Sequence, residues 1–140
     1  MGVIRELSDE GIGNLLRSAI VGRIACGGHG TGDDARPYLV PIAYGYDGQS
    51  VFAHSGPGRK LRLMRENPLV TFEVDRAEAS DQWESVIADA VFEEIPDGPE
   101  RDIALREIYP EPKEIPDLGF YTVVFRIRLL TITGRYERPT

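Results

Sequence analysis

An Asp47-Gly48 pair set between two apolar runs does more than any other feature to limit what this chain can fold into. Upstream, Arg36 to Tyr46 reads RPYLVPIAYGY, an apolar, aromatic and β-branched run; downstream, Ser50 to His54 reads SVFAH. Asp-Gly supplies positive φ at both centres of a type I′ turn, whose twist matches that of paired strands. Tyr46-Asp47-Gly48-Gln49 therefore predicts a tight β-hairpin. The second strand runs into Ser55-Gly56-Pro57-Gly58-Arg59-Lys60, a small-residue turn opening a basic helix, and a third strand ends near Glu73.

The flanking sequence supplies more strands and few helices. Ser8 is an N-cap signal followed by acids, with Leu7 placed to staple onto Ile12. Ile12, Leu15, Leu16 and Ala19 make one helical stripe, and Gly22 is the expected stop. Arg23 to Cys26 is a short strand, and Gly27 to Asp34 a flexible turn. That turn has glycines but no Lys and no following helix, so it is not a phosphate loop. The basic helix is expected to start at Pro57 as its N1 residue, face the core with Leu61 and Met64, and end at Asn67-Pro68. Leu69 to Asp75 and Gln82 to Ile95 read as strands separated by a polar loop from Arg76 to Asp81. A second short helix spans Glu100 to Tyr109, a proline-rich loop follows, and Phe120 to Thr133 is the last strand, with a tail from Gly134 that can continue pairing. Six strands joined by hairpins and short crossovers in 140 residues point to a mainly β fold, one domain over 1–140: a six-stranded antiparallel barrel with two or three short helices at its ends.

Charge and cysteine usage narrow the function. Net charge is −7, which argues against nucleic-acid binding, a task that needs many phosphate-neutralising cations. Arg59, Lys60, Arg62 and Arg65 form a basic island on this acidic chain, suited to one anionic ligand rather than a polyanion. Cys26 is the single cysteine and the histidines number two, too few for a metal cluster. No apolar run is long enough for a membrane-spanning helix, and the N-terminus lacks a signal peptide's apolar stretch, so the expected setting is the cytoplasm. Cys26 reads as a small buried hydrophobe and His29 as an exposed loop residue. Arg126 and Arg128 are expected in solvent or paired with acids across a subunit interface.

The turn before the basic helix carries the chemistry. Helix N-termini offer free N–H groups and partial positive charge. Ser55 adds a hydroxyl, Gly56 and Gly58 allow close approach, and Arg59 and Lys60 add charge-assisted bonds. This describes a phosphomonoester site; the alternative is a Gly-Pro turn feeding a helix whose cations simply face water.

The order of these motifs resembles the pyridoxamine-phosphate-oxidase-like flavin-binding split barrels, and among them the nitroimidazole-reductase-like branch. The features are Gly22-Arg23-Ile24-Ala25, Pro37 to Pro41, the hairpin, a strand ending His54-Ser55, the Gly58-Arg59-Lys60 turn, Asn67-Pro68, the Phe72-Glu73-Val74-Asp75 strand and Trp83 to Val86. The resemblance covers about residues 20 to 90, and Ile132-Thr133-Gly134-Arg135 is similar to the family's closing strand. It implies a split barrel that forms a homodimer, with FMN in a groove between the subunits. By position, Val40, Pro41, Ile42 and Ala43 lie along the isoalloxazine, His54 and Ser55 beside the ribityl chain and phosphate, and Arg59 and Lys60 on the phosphate. Trp83 and Ser85 reach the site from the partner subunit, where Trp83 could equally be a plain interface anchor. The sequence departs from the family in a long Gly27 to Gly32 turn, and in Asp89 and Ala90 where a glycine is common.

The function so implied is FMN-dependent oxidoreduction of a small molecule, the flavin carrying the electron chemistry. No catalytic residue is assigned, because no Asp, His or Cys constellation resembles a general-base or nucleophile site. Oxidation of pyridoxamine phosphate itself would want a second cation cluster, which the sequence lacks. The rival readings are a non-catalytic flavin-binding dimer, or a split barrel holding a deazaflavin or haem; haem would need His54 or His29 as its axial ligand.

Overall fold

The computed structural model describes residues 2–28 and 30–140; the reading of His29 lies outside them. Helix α1 spans Asp9–Ser18, and Ser8 caps it by accepting the Gly11 N–H at 3.1 Å. Leu15 and Leu16 are buried, and Leu7 and Ile12 pack against the same core. The helix stops before Gly22, which lies inside strand β2, Val21–Gly27. Glycine is needed there for space, since a Cβ would drive into the Phe72 ring. A strand absent from the sequence reading, β1 (Gly2–Glu6), precedes α1 and pairs with the end of the last strand. Val3 and Ile4 are both exposed, so β1 has no alternating apolar face to announce it.

The remaining elements are β3 (Pro37–Ala43), β4 (Gly45–Tyr46), β5 (Ser50–Ser55), α2 (Arg59–Glu66), β6 (Leu69–Ala79), β7 (Gln82–Ile95), α3 (Pro99–Ile108) and β8 (Val123–Pro139). The strand order is β3-β2-β6-β7-β8-β5-β4, with β1 on β8, and all neighbours are antiparallel. Strands β3 and β4 are one run broken at Tyr44, so the two ends of this order are the same piece of chain. The sheet therefore closes into the expected barrel of six staves, with β1 outside the ring. Tyr44 makes the break: its hydroxyl donates to the Leu16 carbonyl at 2.7 Å and its ring packs edge-on against Phe72, centroids 5.1 Å apart. Strand β3 has β2 on one side and no strand on the other, which is the split in the barrel.

Inside, Ile24, Phe72, Val74, Val86, Phe125 and Ile127 are fully buried, with α1 and the Leu61, Leu63 and Met64 side of α2. Outside, α3 covers part of the sheet in a second cluster of Phe52, Ile95, Ala104, Leu105 and Val124.

Several local expectations change. The hairpin forms, but Asp47 is not left-handed; only Gly48 has positive φ, 102°. The Asp47 carboxylate instead accepts the Gln49 and Ser50 N–H groups at 2.9 and 2.8 Å, so the turn moves one residue on. Helix α2 starts at Arg59 with Gly58 as N-cap, leaving Pro57 outside it. Strand β6 continues through the expected polar loop to Ala79, because pairing with β7 carries its polar residues along. Strand β8 starts at Val123 and runs on to Pro139. Arg126 and Arg128 pair within the chain, Arg126 with Glu93 and Glu100 and Arg128 with Glu93. Among the described residues, no helix is long and apolar enough to cross a membrane.

Candidate functional site

Helix α2 buries Leu61, Leu63 and Met64 and begins beside β3, with Arg59 over the Tyr38 ring. Its N-cap Gly58 contributes no side-chain hydrogen bond, and its first turn holds Arg59 and Lys60 and no acid. Helix α1, by contrast, is capped by Ser8 and begins Asp9-Glu10. The first N–H groups of a helix need acceptors, and at α2 two cations share the positive end of the helix dipole. That donor set suits an anion, and a phosphate best.

The surroundings hold these cations in place. The Arg59 guanidinium lies 4.7 Å from the Tyr38 ring centroid and donates to the Asp33 carbonyl at 3.2 Å. Tyr38 is the register partner of Cys26 across β2 and β3. Burial pushes the Lys60 ammonium below its usual range, with the Cys26 thiol beside it acting the other way. Burial pushes the Cys26 thiol up, while Lys60 and Arg59 pull it down; Cys26 is buried as expected.

At the end of β5, His54 Nε2 and the Tyr109 hydroxyl are 2.7 Å apart, and the two rings stack at a tilt. Burial first, then Lys60 and Arg101, hold the imidazole below its ordinary value. His54 is thus neutral at pH 7. The Ser55 hydroxyl donates to the Gly56 carbonyl at 2.9 Å. On β3, Ile42 is buried and Val40 half-buried, while Pro41 and Ala43 are exposed. The inward residues offer a ligand only their backbone, along the edge with no neighbouring strand.

The chain therefore gathers β3, His54, Ser55, Arg59 and Lys60 near one end of the barrel. It does not bring Trp83 and Ser85 there. Ala25 pairs with Thr71 on β6, which puts Cys26 level with Val70, whereas Trp83 pairs with Ala77. Seven strand residues separate those levels, about 23 Å at ~3.3 Å each. The Trp83 indole N–H donates to Glu137 Oε1 at 2.9 Å, and Glu137 Oε2 accepts the Gly2 N–H at 2.9 Å. Trp83 and Ser85 alternate with Glu84 and Val86 and so face outward, with Ile87 and Asp89.

Sequence reasoning missed Tyr38, Tyr109 and Asp33. Tyr38 was within reach of a strand-register argument, since it faces Cys26. Tyr109 was not, because 55 residues separate it from His54. An open groove of about 450 Å³ also lies on the outer surface at the α2 level, lined by Ala25, Gly27, Pro37, Leu69, Asp89 and Leu130 among others.

Solved structures share this architecture. A FAD-binding protein of Mesorhizobium loti superposes with a TM-score of 0.78 at 33% identity, over 97% of this chain and 99% of its own. A FAD-binding protein of Mycobacterium smegmatis gives 0.72 at 26%, over 96% and 99%. A putative 5-nitroimidazole antibiotic resistance protein of Bacteroides thetaiotaomicron shares the fold, with a TM-score of 0.76 at 19% identity over 97% and 89%. An uncharacterized protein of Rhizobium meliloti is 31% identical over 93 residues, 66% of this chain, and the match spans 58% of that protein's length. The sequence profile named pyridoxamine 5′-phosphate oxidase matches residues 8–136. From the cap of α1 through the closing strand, by profile and by architecture, the chain belongs to the pyridoxamine 5′-phosphate oxidase family.

Proposed function

We propose that two copies of this chain bind FMN and act as a cytoplasmic oxidoreductase on a small molecule. The observation that carries the reading is the start of α2: a helix end with no side-chain cap, two cations and no acid, beginning beside Tyr38 of β3. The donor set fits a phosphomonoester. Arg59 and Lys60 bind the phosphate with the α2 N–H groups, and Ser55 turns its hydroxyl from Gly56 to the same anion. The β3 backbone from Val40 to Ala43 meets the polar edge of the ring system, and His54 lines the chain between ring and phosphate. Trp83 and Ser85 of the partner subunit close the site. The flavin, when bound, supplies electron transfer to and from the substrate; the protein positions it and shields it from water.

Flavin as the ligand class draws on the relatives named for binding FAD, at 33% and 26% identity. The choice of FMN rests on the single cation cluster. Haem is disfavoured at His54, whose Nε2 is already engaged by Tyr109.

The test compares FMN with riboflavin, which lacks the phosphate. Arg59→Ala with Lys60→Ala is expected to weaken FMN by more than ~tenfold, since charge-assisted bonds are worth about 1.5–3 kcal/mol each, and to leave riboflavin nearly unchanged. Equal losses for both ligands would remove the phosphate assignment. Tighter binding of FAD than of FMN would reassign the cofactor. Oxidation of a reduced nicotinamide by the loaded protein separates an enzyme from a flavin carrier.

A further inference from the structure

His54 is held from the α3 side of the sheet. Along β5, Val51 and Ala53 belong to the barrel interior and Phe52 to the cluster under α3, so His54 shares the outward face of Phe52. Its register partner Val124 is buried in the same cluster, with Ala104 and Leu105 of α3. Helix α3 ends beside the imidazole. Its C-cap, Tyr109, donates its backbone N–H to the Leu105 carbonyl at 2.8 Å. The last turn before it touches β4 backbone to backbone, since a Cβ on Gly45 would collide with the Glu107 carbonyl and the Ile108 nitrogen. The backbone that carries Tyr109 is therefore fixed by β4 and by the buried Ala104 and Leu105.

Tyr109 meets His54 through its hydroxyl, 2.7 Å from Nε2, with the ring centroids 5.8 Å apart. A neutral imidazole has one N–H and one bare nitrogen, and the hydrogen bond made at one nitrogen sets which of them carries the proton. Burial, then the Lys60 and Arg101 cations, keep this imidazole neutral. A phenol O–H is a much stronger acid than a neutral imidazole N–H, and a bare imidazole nitrogen accepts better than a phenol oxygen. The favoured arrangement therefore has Tyr109 donating to Nε2, which leaves the ring's proton on Nδ1. Nδ1 has no hydrogen-bond partner among the described residues.

We infer that Tyr109 is a positioning residue for the ligand site: it holds His54 as the Nδ1–H tautomer and so makes the ring's free nitrogen a hydrogen-bond donor to a phosphate oxygen of the ligand. The inference rests on the proposed reading, in which His54 lies along the chain that leads to the phosphate. Lys60, one of the two cations assigned to that phosphate, is close enough to act on the imidazole. A phosphate dianion accepts hydrogen bonds and donates none, so a bare Nδ1 turned toward it would repel it. The Nδ1–H tautomer matches the rest of the site, where the α2 N–H groups, Arg59 and Lys60 are all donors.

Nitrogen NMR of histidine-labelled protein reads the proton directly, the His54 signal being the one that His54→Asn removes. The wild-type ring is expected to carry its proton on Nδ1. Tyr109→Phe, which keeps the aromatic ring and removes the hydroxyl, is expected to shift it toward Nε2. In flavin titrations the same variant is expected to weaken FMN about three- to tenfold and to leave riboflavin unchanged. An asparagine amide at position 54 supplies an N–H donor near the place of Nδ1 whatever Tyr109 does. In a His54→Asn background, Tyr109→Phe is therefore expected to cost nothing further. A merely structural role for Tyr109 predicts the same loss for both flavins and in both backgrounds. That uniform loss, no loss of FMN at all, or a wild-type proton on Nε2 would each overturn the inference and leave the phosphate site standing, provided that Arg59→Ala with Lys60→Ala still loses FMN selectively. Equal losses of FMN and riboflavin in that double variant would remove the phosphate reading, and this inference with it.

Discussion

The two halves of the barrel's outer surface have the same alternating sequence pattern and different fates. Around β5 and β8, outward Phe52 and Val124 are buried under Ala104 and Leu105 of α3. The fit is close: a Cβ on Gly45 would run into the Glu107 carbonyl in the last turn of α3. Around β3, β2, β6 and β7, outward Leu39, Leu69 and Ile87 meet no helix and stay exposed. An outward apolar residue is core or docking surface according to what the chain folds back over it. The chain therefore covers one apolar half of the sheet with its own helix and leaves the other open.

The sharpest way to break this comparison is to cut the same kind of side chain from each half. Phe52→Ala, on the covered half, is expected to cost about 3–5 kcal/mol, unchanged by dilution and measured by denaturant unfolding. A loss under about 1 kcal/mol would mean that α3 only rests on the sheet. The next effect belongs to the bare half. If Trp83 of one copy borders the flavin of the other, its fluorescence is quenched strongly as FMN saturates the protein, and it is the only tryptophan. Trp83→Leu then weakens flavin binding by about 0.5–1.5 kcal/mol beyond lost area with the dimer intact. Unquenched fluorescence would withdraw Trp83 and Ser85 together.

The halves also differ in their response to pH. On the covered side the His54 imidazole is held below its ordinary 6.5, by burial first. As pH falls through that value the unfolded chain takes up the proton before the folded one, so stability drops on acidification. On the bare side Glu73 is held above the ordinary 4.5, by burial first and then by Asp75. There the folded chain protonates first, and its contribution improves as pH falls. Between pH 7.5 and 5.5 the His54 effect is expected to dominate, so His54→Gln should flatten the fall in unfolding midpoint; an unchanged slope would show that His54 is not the group responsible. The smallest effect is Ile87→Ala. Ile87 is half open to solvent, and its truncation is expected to change stability by less than about 0.5 kcal/mol. A large loss at high dilution would show that Ile87 is already covered within one chain.

Much of this arrangement was legible in the residues. The N-cap Ser8, the Asn67 stop and the span Gln82 to Ile95 were read directly, because caps and two-residue alternation are local properties. The cation pair Arg59-Lys60 at a helix start was equally local. Other features were hidden for physical reasons. Asp47 keeps negative φ because its carboxylate has two N–H donors to satisfy next door, a choice the Asp-Gly signal does not encode. Gly22 looked like a helix stop but answers to the Phe72 ring, which lies 50 residues away in sequence. Strand β1 was invisible because it buries little.

What the sequence determined by itself is therefore the set of parts: a mainly β chain, a closed antiparallel barrel, and an acid-free basic helix start able to take a phosphate. Each follows from interactions a few residues long, and such interactions leave periodic marks. What only the tertiary structure decided is how the parts meet. It set the Arg59 guanidinium against Tyr38, His54 against Tyr109, Lys60 beside Cys26, and Trp83 about 23 Å from the Cys26 level along the strands. Those relations depend on strand register and on where α3 lies over the sheet. Both are fixed by packing between segments far apart in the chain, and no local pattern records them.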